Sequence, residues 1–165
     1  MIFMSLDENY MSEALKEAEI AFEEGNIPIG CVIVLNNEII SRDHNQIYTL
    51  KNRLAHAEFL ALEKVQGELW KNKRKATIYS TYEPCPMCLG AIVLSRINRV
   101  VYGVDLDNSG AISLLEHFPL LFRREKWKIH YTSEVLAKEC AEVFMKSWFA
   151  KSMKREGLLK DINSS

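Results

Sequence analysis

His56-Ala57-Glu58 and, one strand-like segment later, Pro84-Cys85-Pro86-Met87-Cys88 decide how this chain is read. One histidine and a Cys-x-x-Cys pair are ligands of the kind zinc takes. Three protein ligands leave its fourth position open, which separates a catalytic zinc site from a structural one. Glu58, two residues past the histidine, is then a carboxylate outside the ligand set, close enough to exchange protons with a water at the open position.

Working outward, both ligand groups fall at predicted helix starts. A helix opening near Ala55 and running to about Val65 puts His56 and Glu58 in its first turn, and a second, Cys85–Ser95, begins at the Cys-x-x-Cys. The positive end of a helix dipole favours thiolate and hydroxide at such sites. Before them, Ser5-Leu6-Asp7-Glu8 has the form of a capping box. Met11, Ala14, Leu15, Ala18, Ala21 and Phe22 follow it at helical spacing, with Gly25 as the stop. Ile29–Leu35 and Glu38–Arg42 read as a hairpin turning at Asn36-Asn37. Ala76–Thr81, Arg99–Val104 and Lys128–Thr132 read as strands and Ala111–Glu116 as a short helix. A long final helix from about Ser133 carries Val135, Leu136, Ala137, Cys140, Val143, Phe144, Ser147 and Trp148 on its apolar side. The expected fold is α/β, a three-layer α/β/α sandwich on a mixed five-stranded sheet, with residues 1–165 as one zinc-dependent domain.

Composition narrows the class. With 48% hydrophobic and 26% charged residues the chain reads as soluble and globular. Its apolar runs are far shorter than the roughly 18 residues of a membrane span, and Met1-Ile2-Phe3-Met4 lacks the basic flank of a signal peptide. Four cysteines without an export signal point to a cytoplasmic, reducing setting in which Cys-x-x-Cys means metal or redox chemistry. A net charge of −1 does not fit a protein that coats nucleic acid non-specifically. Basic residues beside aromatics near the C-terminus, Trp148-Phe149 with Lys151, Lys154 and Arg155, suit RNA contact and equally suit a packed helix end.

The combined motif, His-x-Glu followed by Pro-Cys-x-x-Cys, is the signature of zinc nucleobase deaminases. Removing a ring amine by hydrolysis requires a nucleophile, which zinc provides by lowering the pKa of its water toward 7. It also requires protons for the ring nitrogen and the departing ammonia, and Glu58 can carry all three transfers. Asn45 offers a donor and an acceptor to a base edge, and His44 beside it is a candidate for the pocket mouth. Gly30 is a place where backbone could approach a ligand. Against this stand a thioredoxin-like redox pair, which leaves His56 and Glu58 idle, and a structural zinc module completed by His44, His117 or His130. Cys31 and Cys140 read as core thiols.

The chain resembles the cytidine deaminase-like superfamily and, within it, the bacterial tRNA adenosine deaminases. The likeness runs from Ile27-Pro28-Ile29-Gly30-Cys31-Val32 through His44-Asn45, Ala55–Glu58, Tyr82–Ala91 and Arg99–Gly103 to Trp148-Phe149. It implies Zn²⁺ on His56, Cys85 and Cys88, Glu58 as catalytic proton shuttle, and Asn45 hydrogen-bonding the base; Ala57, Pro84 and His44 beside them are further candidate substrate contacts. It further implies a homodimer acting on the tRNA anticodon loop, with adenosine converted to inosine at the wobble position. One segment departs from the family pattern: Leu106 and Asn108 fall near positions where an aspartate and a lysine are usual. With the acidic net charge, that keeps a free-base or nucleoside deaminase of guanine or cytosine type as the alternative.

Overall fold

The computed structural model describes residues 4–160, so the N-terminal residues 1–3 of the apolar start lie outside the described residues. Helix α1, Leu6–Glu23, begins with both halves of the capping box in place: Glu8 N–H donates to Ser5 Oγ, and Ser5 N–H donates to Glu8. It ends where Gly25 takes φ +82°. Strands β1, Gly30–Leu35, and β2, Glu38–His44, form the hairpin, and Asn36 and Asn37 both adopt the left-handed conformation its tight turn requires. Helices α2, Ala57–Lys64, and α3, Gln66–Lys71, precede strand β3, Thr77–Tyr82. Helix α4, Pro86–Leu94, leads into strand β4, Arg99–Val104. A 3₁₀ helix over Ile112–His117, strand β5, His130–Thr132, and helices α5, Ala137–Met145, and α6, Trp148–Arg155, complete the order.

The sheet runs β2-β1-β3-β4-β5, with β1 antiparallel to both neighbours and β3, β4 and β5 parallel. All six residues of β1 are buried, as a strand covered on both faces requires. Helices α2 and α4 cover one face over Cys31, Ile33, Ile78 and Val100, while α1 and α5 cover the other over Val32, Val34, Tyr79 and Val101. The result is the three-layer mixed-sheet sandwich. Among the described residues no helix is long and apolar enough to cross a membrane.

Three readings need correction. The long C-terminal helix is two helices, because Leu136 is left-handed and delays α5, and Ser147 then interrupts it. The Ser147 hydroxyl donates to Phe144 O and accepts from Ala150 N–H, ending one helix and capping the next. Trp148 is thereby turned away from the core and stands exposed. Gly30 is open for α1 rather than for a ligand: a Cβ there would run into Ala14 O, Ala18 N and Glu17 Cβ.

Candidate active site

His56 and Cys85 occupy the N-cap positions of α2 and α4, and neither side chain caps its helix. Those positions favour Ser, Thr, Asp or Asn; here they carry residues whose side chains turn toward each other instead. Cys88 lies in the first turn of α4. The donor atoms of His56, Cys85 and Cys88 all lie within 4.8 Å of one another, and His44, His117 and His130 are not part of this group. Cys85 Sγ and His56 Nδ1 are 3.6 Å apart. Zinc bonds of about 2.3 Å to sulfur and 2.0–2.1 Å to nitrogen at tetrahedral angles put those two atoms about 3.6 Å apart, so the donor set fits a zinc ion. The hydrogen bond from Cys88 pulls Cys85 down to about 4, with His56 adding to it, while the same bond and burial push Cys88 up.

Glu58 is buried beneath these ligands. Ser80 Oγ donates to its Oε1 at 3.0 Å, and the Cys88 thiol is 3.5 Å from its Oε2. Burial raises its pKa; its own N–H in the first turn of α2, His56 and Ser80 pull the other way. A buried carboxyl whose two protonation states are brought closer in energy is suited to carrying protons in both directions. Ser80 was not singled out in the sequence, although alternation along β3 sets it on the same face as Ile78, toward α2.

Asn45 is almost completely buried. Its N–H donates to Ile29 O, and the next residue, Gln46, donates to Ala55 O, so it is laced between the start of β1 and the residue before His56. Its Oδ1 accepts from Ile47 N–H, and among the described residues its Nδ2 has no protein partner. His44 lies elsewhere. It pairs with Gly30 on the sheet face toward α1, and its ring nitrogens are 3.3 and 3.1 Å from Glu17 and Glu24. Alternation puts Asp43, Cys31 and Ser80 on the opposite face, the one that holds Glu58. Ala57 is fully buried in the core. The Pro84 carbonyl already accepts from Ala111 N–H.

Leu106, at the position where the loop departs from the resembling pattern, is buried against Tyr82, Phe144 and Ala150. Tyr82 Oη fixes that loop, donating to Asp107 and accepting from Leu106 N–H. At Leu106 the departure is thus a packing position beneath α6, whereas Asn108 is exposed, with a left-handed φ of +59°.

Residues 4–104 match the cytidine and deoxycytidylate deaminase zinc-binding region. The chain belongs to that deaminase family. It is 44% identical over 139 residues to the tRNA-specific adenosine deaminase of Bacillus subtilis, covering 83% of this chain and 85% of that one. A solved structure from studies of A-to-I editing by tRNA:A34 deaminases at the wobble position is 33% identical with a TM-score of 0.67, covering 82% of this chain and 98% of that one. The structure of guanine deaminase from Bacillus subtilis is 34% identical with a TM-score of 0.54, covering 59% and 63%. The zinc-binding deaminase fold and the donor set found here therefore agree.

Proposed function

We propose that the chain converts an adenosine of tRNA, at the wobble position of the anticodon loop, to inosine and ammonia by zinc-dependent hydrolysis. The observation that carries the chemistry is the buried Glu58 beside a three-donor metal group that it does not join. His56, Cys85 and Cys88 would hold the metal. Bound zinc supplies the Lewis acidity that makes water nucleophilic near neutral pH. Glu58 would take one proton from the attacking water and pass it to the ring nitrogen next to the carbon under attack, then take the remaining proton from the oxygen added to that carbon and give it to the amine, so that the carbon–nitrogen bond breaks, ammonia leaves and a carbonyl remains. Ser80 keeps the carboxylate aimed during these transfers, and the Nδ2 of Asn45 remains available to an acceptor on the substrate.

For an RNA substrate over a free base, the support is sequence identity: 44% over 83% of the chain to a tRNA-specific adenosine deaminase, against 34% over 59% of it for the Bacillus subtilis guanine deaminase. Two copies associating as a homodimer also belong to this reading. An apolar recess of about 220 Å³ lined by Gly90, Val93, Leu94, Phe118, Pro119 and Phe122 is a surface that a second copy would cover. A zinc site built on two thiols fits a reducing, cytoplasmic setting.

Ammonia release over unmodified tRNA, adenine, guanine, cytosine and their nucleosides tests the assignment. Release from tRNA with inosine at the wobble position is the expected result. Release from guanine or cytosine alone would make this a free-base deaminase.

A further inference from the structure

Asn45 begins a stretch, residues 45–56, that is neither helix nor strand between β2 and α2. Its place therefore rests on side-chain bonds, and the C-terminal end of α1 holds it from both flanks. On one flank stands His44. Its Nδ1 is 3.3 Å from Glu17 Oε2 and its Nε2 3.1 Å from Glu24 Oε2. Carboxylates only accept, so the ring gives a hydrogen bond to each when both of its nitrogens carry a proton. Glu17 is nearly buried and lies 3.6 Å from the Arg42 guanidinium, which also donates to Glu13 one turn earlier on α1. Gly30, opposite His44 in the sheet, leaves the room that lets Glu17 come this close.

The other flank is held by Asn26, almost wholly buried just past α1 and joined to it through a hydrogen bond from its N–H to Ala21 O. Its Oδ1 accepts from the N–H groups of Tyr48 and Thr49 at 3.0 and 3.2 Å, and its Nδ2 donates to Thr49 Oγ1. Asp43 links the two flanks across Asn45, with Oδ1 accepting from His44 N–H at 2.8 Å and from Gln46 Nε2 at 2.7 Å, and with Oδ2 2.7 Å from Lys64 Nζ. Between these fixed points, Asn45 Oδ1 accepts from Ile47 N–H, which sets the direction of the amide.

Resting on the reading above, in which Asn45 Nδ2 meets the substrate, we propose that His44 and Asn26 are positioning residues that clamp Asn45 to the end of α1. Neither touches substrate. A group displaced by about 1 Å can cost as much as 10²-fold in rate, and the clamp removes that freedom from a segment with no regular structure of its own. The sheet face turned away from Glu58 thereby contributes to the site through one amide.

The test is a set of double-mutant cycles on kcat/KM for an anticodon stem-loop RNA, with zinc content and a urea midpoint for each variant. His44→Ala and Asn26→Ala should each lower kcat/KM on the order of tenfold with zinc retained. In an Asn45→Ala background each should lower it by less than about twofold, because the group they hold is gone. Glu24→Ala, at an exposed position that spares the fold, should cost about threefold, and that loss should vanish in the same background. The full single-variant losses repeated on top of Asn45→Ala would overturn the clamp while leaving tRNA deamination standing. So would lowered urea midpoints with unchanged kcat/KM, or full activity in Asn45→Ala. No deamination of the RNA by wild type would overturn the functional reading itself, and the clamp with it.

Discussion

Glu58 depends on Ser80 in a way that the motif alone does not reveal. Ser80→Ala would leave the buried Oε1 without its donor, and an unmade bond to a buried charged group costs about 1.5–3 kcal/mol. Turnover should fall by roughly tenfold or more while zinc content holds, as metal analysis beside kcat would show. Asn45→Ala removes a buried amide whose Nδ2 has no protein partner among the described residues and which the proposed reading gives to the substrate. A loss of about 2–3 kcal/mol in transition-state binding is expected, seen as a lower kcat/KM; unchanged kcat/KM would take Asn45 out of the site. At this scale the sequence was legible where spacing encodes contact. His56, Glu58, Cys85 and Cys88 are legible because the His-x-Glu and Pro-Cys-x-x-Cys motifs carry their chemistry in residue type and spacing. Adjacency to Asn45 makes His44 only a candidate for the pocket mouth, and consecutive strand residues face opposite sides of a sheet. Its ring went to Glu17 and Glu24 instead.

The elements divide in the same manner. The capping box of α1 and the Asn36-Asn37 turn are local signals, and both elements stand where those signals put them. The α5–α6 break is tertiary. Apolar spacing continues through Ser147, so periodicity reads one helix, while the serine hydroxyl ends the first and caps the second. Helix α3 was missed because Gly67 sits in its first turn and its buried anchor is a single residue, Leu69. Ser147→Ala should cost about 1 kcal/mol through loss of the cap, as urea denaturation would read. Gly30→Ala should destabilise by about 1–3 kcal/mol, because its new methyl meets the α1 backbone, which cannot move without shifting the helix. A wild-type Tm for this variant would show that α1 yields.

Across the whole molecule, α1 is tied to the sheet by an ion pair remote in sequence. The Arg99 guanidinium grips both oxygens of Asp7 at 2.8 and 2.7 Å, Tyr79 Oη donates to the same carboxylate, and Arg99 also donates to Thr132 Oγ1. The bond from Arg99 holds the Asp7 carboxyl below its ordinary 3.8 despite partial burial. A depressed carboxylate pKa adds stability that is fully present above 3.8 and is lost as pH falls through the lower folded value. Asp7→Asn should therefore flatten the acid side of the stability profile below about pH 4, measured as urea midpoints from pH 2 to 6. An acid limb equal to that of wild type would mean that Asp7 does not contribute to it.

A buried carboxylate beside a three-donor metal group that it does not join is the feature on which deamination by this chain rests. The most direct measurement pairs zinc analysis with detection of inosine at the wobble position, for wild type and Glu58→Ala. Wild type should carry one zinc per chain and form inosine. Glu58→Ala should keep the zinc and lose about 10²–10⁴-fold or more of the rate. Inosine formed by Glu58→Ala at a rate near that of wild type would contradict the account.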